Sequence, residues 1–346
     1  MFIKLNLQSM LKKYLMASLM MTSVAMTGVS CSKQEAKTND EPKQSVAADS
    51  SVVYVTRNIT PESLVKIYKA LGRKADGRVA VKISTGESEK TGYLRPAFIK
   101  PLLDEVSGTI VECNTAYGGS RATSADHWKA IKERGFMDVA KVDIMDEEGS
   151  MKIPVSDTTH IKYNLVGTHL ANYDFMINLA HFKGHQMGGL GGVLKNASIG
   201  VSSSAGKAYI HSAGYTEDVN ELWDHVDNQD GFLESMAAAA QAVHNYFGNG
   251  EKILYISVMY RMSIDCDCNG DPAEPLIADY GILASLDPVA LDQACYEIVD
   301  GLHCDAHNNT KPLLERISQM HGTHTMEWAE KIGLGSRVYK LVDIDK

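Results

Sequence analysis

The feature that most constrains this chain is a pattern that recurs three times in its first half: an apolar run, a polar or glycine-containing loop, then an amphipathic stretch. Ser51-Val52-Val53-Tyr54-Val55-Thr56 reads as a strand, and Thr60-Pro61-Glu62-Ser63 opens a helix with Thr60 as cap and Leu64, Ile67 and Leu71 on one face. Val79-Ala80-Val81-Lys82-Ile83 is the next strand, followed by Gly86-Glu87 and a helix from about Pro96 to Val106. Thr109 to Cys113 is the third, running into Asn114-Thr115-Ala116-Tyr117-Gly118-Gly119-Ser120-Arg121 and a helix from about Thr123 to Arg134. Strand and helix in this alternation predict an α/β fold with a largely parallel sheet and crossover helices, as one large domain or two lobes. Open parallel sheets bind ligands outside their carboxyl edges, so Glu87, Asn114, Arg121 and His127 become candidate site residues.

Further along, Val142 to Tyr163 reads as a strand pair or irregular excursion and Leu165 to Ala171 as a short helix. Phe175 to Leu179 and Lys252 to Val258 read as buried strands, with a long helix from Asn220 to Phe247 between them. Leu276 to Ala284 reads as a strand, and Asp287-Pro288 caps a helix to Val299.

The N-terminus gives an address. Lys4, Lys12 and Lys13 precede a mostly apolar run from Tyr14 to Val29, ending in small residues before Cys31. Residues 1–30 are therefore expected to be a secretory signal peptide, with Cys31 as an acylated lipoprotein cysteine. The run is shorter and more interrupted than the roughly 20 apolar residues of a membrane span. Residues 31–50 hold almost nothing apolar and are expected to form a disordered tether, leaving residues 51–346 as the folded domain. The expected location is the bacterial cell envelope, the protein facing the periplasm or cell exterior and contacting lipid through Cys31. The signal carries three lysines and no acid, so its removal takes the net charge from −9 to −12. That balance argues against a nucleic-acid partner. Beyond Cys31 an odd number of cysteines remains: Cys113, Cys266, Cys268, Cys295 and Cys304.

The densest polar chemistry follows Phe175-Met176-Ile177, in Asn178 to Asn196, where His181, Lys183, His185, Lys195 and Asn196 stand among five glycines. Neither Gly189 to Leu194 nor Gly200 to Ala208 meets a nucleotide-loop pattern. Free backbone amides entering a helix, with Lys183 and Lys195 beside them, would suit a small anionic ligand. His181 and His185 would share a helix face and could reach one divalent metal, though Gly184 weakens that helix. Asp265-Cys266-Asp267-Cys268 could share a soft metal or close a strained disulfide. His303-Cys304-Asp305-Ala306-His307 and His321-Gly322-Thr323-His324 read as solvated loops before they read as ligands. A serine-hydrolase elbow is absent.

Several motifs in order resemble a bacterial family named domain of unknown function 362, over about residues 53–342. They include Val81-Lys82-Ile83 with Gly86-Glu87, Asn114 to Gly119 with Arg121, Asp126-His127, and His181-Phe182-Lys183-Gly184-His185 through Lys195-Asn196. Ala205-Gly206-Lys207, Asp265-Cys266-Asp267-Cys268, Gly281 to Ala290 and Gly333 to Arg337 complete the set. The resemblance implies no activity. Many relatives carry a ferredoxin-like insertion with two cysteine clusters, but between Ala208 and Ile264 this chain has no cysteine. A 4Fe–4S cluster, which needs about four thiolates, is therefore not expected. What the sequence supports is a metal- or anion-binding protein of unassigned reaction, with two alternatives: a thiol-redox protein using Cys266 and Cys268, or a non-catalytic envelope binding protein.

Overall fold

Two seven-residue strands with every residue buried, β7 (Phe175–His181) and β10 (Ile253–Met259), form the middle of the sheet. Their alternate side chains enter different cores, as the two-residue period of a strand requires. Phe175, Ile177, Leu179, Leu254, Ile256 and Val258 pack on one face. Met176, Ala180, Ile253, Tyr255 and Met259 pack on the other. Both faces must therefore be covered by helices, which is the condition of a parallel sheet.

The structure, a computed structural model, describes residues 50–305 and 308–346. The expected signal peptide, Cys31, the tether to residue 49, and His307 lie outside the described residues. Eight strands take the order β12-β1-β11-β10-β7-β2-β3-β4. These are β1 (Ser51–Thr56), β2 (Val79–Lys82), β3 (Thr109–Glu112), β4 (Val142–Ile144), β11 (Gly281–Ser285) and β12 (Tyr339–Asp343) around the central two. Only β11 runs against its neighbours, β1 and β10; every other pairing in the sheet is parallel. The expected α/β fold with a largely parallel sheet is what the chain adopts.

Helices α1 (Pro61–Ala70), α2 (Pro96–Val106) and α3 (Ser124–Glu133) cover one face. Thr60 and Thr123 cap the first and third as their sequences require, accepting from Ser63 and Asp126 amides. Burying Leu64 and Ile67 of α1 contributes about 1.5–3 kcal/mol each. The other face carries α4 (Val193–Ser198), α6 (Gln229–Tyr246) and α7 (Pro288–Gly301), with α8 (Lys311–Gln319) and α9 (His324–Lys331) outside them. Helix α5 (Ser204–His211) packs on the hairpin of β5 (Ser150–Pro154) and β6 (Tyr163–Gly167). A second small hairpin joins β8 (Lys183–His185) to β9 (Gly189–Gly191).

Three local expectations need correction. Leu165 to Ala171 is not a helix: Tyr163–Gly167 pairs with β5, and only Thr168–Asn172 turns, as a short 3-10 segment. The long helix starts at Gln229 because the Asn228 side chain accepts from Gly231 N and caps it there. The strand expected from Leu276 begins at Gly281, where a β-carbon would lie 2.2 Å from Thr56 O. Among the described residues, no helix is long and apolar enough to cross a membrane.

Candidate functional site

The chain leaves β2 outward to β3 and β4 on one side, and leaves β7 toward β10 on the other. The carboxyl ends of β2 and β7, adjacent and parallel, therefore bound the switch point where open sheets form a crevice. Lys82 ends β2, Glu112 ends β3 and His181 ends β7. The segment after β10 brings Cys266 and Cys268 over the same edge. A cavity of about 50 Å³ lies there, lined in part by Arg121, His181, Lys183, Lys195, Asn196, Cys266 and Cys268. Lys82, Glu112, Cys113, Tyr117 and Lys207 add to its polar wall.

The cations are fixed one by one. Arg121 lies between two carboxylates, its Nε 3.0 Å from Glu87 Oε2 and its Nη1 2.8 Å from Glu112 Oε1. Burial opposes the charge on Glu112, but Arg121, His127 and Lys82 outweigh it and hold the carboxyl well below its usual range. Behind this pair, His127 is fully buried, its Nδ1 3.1 Å from Asn114 Oδ1 and its Nε2 3.4 Å from Glu112. Glu87, Asn114 and His127 thus support Arg121 and do not line the cavity. Lys183 Nζ reaches Asp267 Oδ2 at 2.9 Å, and the same carboxylate takes His181 Nδ1 at 3.0 Å. His181 Nε2 lies 2.7 Å from Tyr260 O. Both ring nitrogens of His181 are thus engaged with oxygen atoms of Asp267 and Tyr260. Asn196 donates to Asn178 Oδ1 (2.7 Å) and Lys82 O (3.1 Å), tying α4 to β2 and β7.

The glycine-rich entry into α4 differs from expectation. The amides of Val193 and Leu194 donate to Asp292 of α7 at 2.8 and 2.9 Å, so an internal carboxylate already occupies that helix start. Burial pushes the Asp292 carboxyl up to about 7 against the pull of these amides and of Lys183.

Cys266, Cys268 and His185 form the second half of the site. Each offers one ligand atom within 4.8 Å of the others, so this group could hold a metal ion. Gly184 makes the approach possible, because a β-carbon there would lie 2.1 Å from Ile264 O. Lys195 Nζ is 3.4 Å from Cys266 Sγ, and the Cys268 amide donates to that sulfur at 3.3 Å. Burial opposes a charge on Cys266, but the Cys268 thiol, the Lys195 ammonium and His185 outweigh it and hold Cys266 well below the ordinary thiol range. The Cys268 thiol is pushed well above it by its hydrogen bond to Cys266 and by burial. One negative charge is therefore shared by two sulfurs.

His185 decides how the group is used. Its Nδ1 accepts from the amides of Met187 (3.1 Å) and Gly188 (2.8 Å). Burial and Lys195 hold the ring's pKa below its ordinary value and so keep it neutral, and its proton must then sit on Nε2, 3.8 Å from Cys268 Sγ. A metal-ligating histidine normally donates from its other nitrogen to an acceptor. Here that nitrogen receives two donors, so the ring is set to offer N–H toward sulfur.

The family model described as "Domain of unknown function (DUF362)" matches residues 79–297, which contain every one of these groups. The chain belongs to the DUF362 family. No curated protein matches it. Among solved structures it is similar to the lactate racemase apoprotein from Thermoanaerobacterium thermosaccharolyticum, at 12% identity and TM-score 0.37, over 72% of this chain and 57% of that one. It is also similar to a protein from Thermotoga maritima, at 11% identity and TM-score 0.38, over 78% and 58%. The chain thus spans less than two thirds of the length of either. The DUF362 match carries no activity with it, so function has to come from the site.

Four residues that matter are not among the candidate site residues read from the sequence. Lys82 stood at the end of an apolar strand, and Asp267 between two cysteines; each was a visible anomaly. Asp292 was an acid on the buried face of α7. Lys207 stood in the Ala205-Gly206-Lys207 motif, but nothing local marked it for burial, which depends on the docking of α5.

Proposed function

We propose that this DUF362 protein is exported, is held at the cell envelope by acylated Cys31, and works through a dithiol centre in which Cys266 is the thiolate and Cys268 its partner. The observation that carries the reading is the Lys195–Cys266 contact inside the switch-point cavity, with the His185 N–H turned toward the sulfurs. In the reaction, Cys266 sulfur attacks one sulfur of a small-molecule disulfide and bonds to it, the S–S bond of that molecule breaking and its other half leaving as a thiolate. The charge on Cys266 is then gone, so Cys268 can ionise, displace the bound half and close the Cys266–Cys268 disulfide. Two electrons pass to the substrate, and the Cys268 proton leaves with it or with water. The size of the cavity favours a small molecule over a protein disulfide. Acylation of Cys31 is supported by the sequence of the first 31 residues alone.

A second reading is a soft-metal site at His185, Cys266 and Cys268, favoured by the approach of their ligand atoms to within 4.8 Å. Thiol counting on purified protein, with and without mild reduction, separates the two. The dithiol reading expects two fewer free thiols in the oxidised form, with the pair restored on reduction. An unchanging thiol count, together with stoichiometric metal that His185→Ala releases, would replace it with the metal site.

A further inference from the structure

Two cations around the cavity have no anion in contact with them among the described residues. Arg121 is matched by Glu87 and Glu112, Lys183 by Asp267, and Lys195 by Cys266. Lys82 and Lys207 are 1% and 5% exposed, and among the described residues neither forms an ion pair within 4.0 Å. Lys82 Nζ donates to Ile83 O (2.6 Å) and Asn196 Oδ1 (3.2 Å), and Lys207 Nζ to Ser202 O (2.6 Å). These neutral oxygens satisfy hydrogen bonds but leave the charges uncompensated. Glu112 and Cys113 act on Lys82, and Cys113, Asp146 and Glu112 on Lys207, without an ion pair in contact. Burial accordingly pulls Lys82 down to about 8 and lowers Lys207 as well. Space is kept at the Lys82 head: a β-carbon on Gly200 would lie 2.8 Å from its Nζ and 2.3 Å from Asn196 O. The cavity, about 50 Å³, has room for roughly three to five waters or one anion of that size.

We propose that a small oxyanion of carboxylate or phosphate size binds in this cavity between Lys82 and Lys207, beside Cys266. The inference deepens the dithiol reading by naming the anionic group that the small molecule presents beside the thiolate, and rests on that reading only for what happens after binding. An oxyanion brings several acceptor oxygens and one or two negative charges, which is what two buried ammonium groups lack. Lys82 and Lys207 are positioned to hold it while Lys195 stays on the sulfur.

The test is isothermal titration calorimetry of the full chain with inorganic phosphate and, separately, with acetate, alongside Lys82→Met and Lys207→Met. Saturable one-to-one binding of either anion is expected, weakened at least about tenfold in each variant. Without ligand, each variant should melt at or above the wild-type temperature, because it sheds an uncompensated buried charge. Absence of binding by both anions to wild type, equal affinity in the variants, or a Lys82→Met protein that melts well below wild type would each overturn the proposal. Cys266→Ala should still bind the anion. Anion binding in a protein whose thiols never pair would sink the dithiol reading alone; thiols that pair without anion binding would sink this inference alone.

Discussion

Two of the places among the described residues where histidines, acids and other polar groups gather are built in opposite ways. Near the start of α9, Glu234 accepts from His160 at 2.6 Å and His324 at 2.9 Å, and Asp230 pairs with His321 at 2.7 Å. Each histidine there has a carboxylate, and all are partly open to water. At the carboxyl edge of β2 and β7 the polar side chains are buried, a thiolate stands opposite Lys195, and Lys82 and Lys207 are left with neutral hydrogen-bond partners. The contrast teaches that histidine density does not mark a site; desolvated charge without a counter-charge does.

The largest expected effect sits at the cavity. Asp267→Ala should cost about 3–5 kcal/mol in chemical denaturation, because it strands Lys183 and His181 in the interior. Lys183 and His181 outweigh burial and hold the Asp267 carboxyl below its usual range. Its contribution is therefore complete above the ordinary carboxylate pKa of 3.8 and lost as pH falls through the lower folded value, so the gap between wild type and variant should close in acid.

Asp292 should behave in the opposite sense. Asp292→Ala leaves the Val193 and Leu194 amides unpaired and should cost about 2–4 kcal/mol. Its folded pKa, about 7, lies above the ordinary 3.8, so its contribution is full in acid and is lost as pH rises through 7. Asp292→Asn should therefore gain on wild type in melting temperature between those two values. A gap that moves the other way would show the carboxylate to be ionised throughout.

Next comes Lys195→Met, which removes the ammonium from Cys266. Alkylation of Cys266 at neutral pH should slow by about tenfold or more, as the thiol returns toward its ordinary range. The smallest effect belongs to the other region: Glu234→Gln should change stability by about 1 kcal/mol or less, since water can solvate the histidines it leaves. A loss there equal to that of Asp267→Ala would erase the comparison.

Much of the framework was legible in sequence because β1, β2, β3, β7 and β10 combine apolar runs with caps and breakers of known chemistry. Segments that carry little period escaped. Lys183-Gly184-His185 and Gly189-Leu190-Gly191 are three-residue strands with no alternation, and α4 has six residues. Neither α8 and α9 nor β12 was read, since their burial depends on docking against distant elements. The site was legible as a neighbourhood: Arg121, Lys183, Lys195, Asn196, Cys266 and Cys268 meet at one cavity. Their roles were not, because the partner that sets each role is remote in sequence. Asp267 lies 86 residues from His181 and Asp292 lies 99 from Val193. The orientation of His185, which favours sulfur over metal, is fixed by two amides that only the β8–β9 turn supplies.

The central claim is that Cys266 is a buried thiolate at neutral pH. It is tested most directly by following thiolate ultraviolet absorption against pH in the wild type and in Cys266→Ser, a method that needs no reagent to enter the cavity. One thiolate should persist in wild type down to at least about pH 6 and be missing from the variant. A wild-type signal that first appears near about pH 8.5 and matches the variant below it would contradict the account.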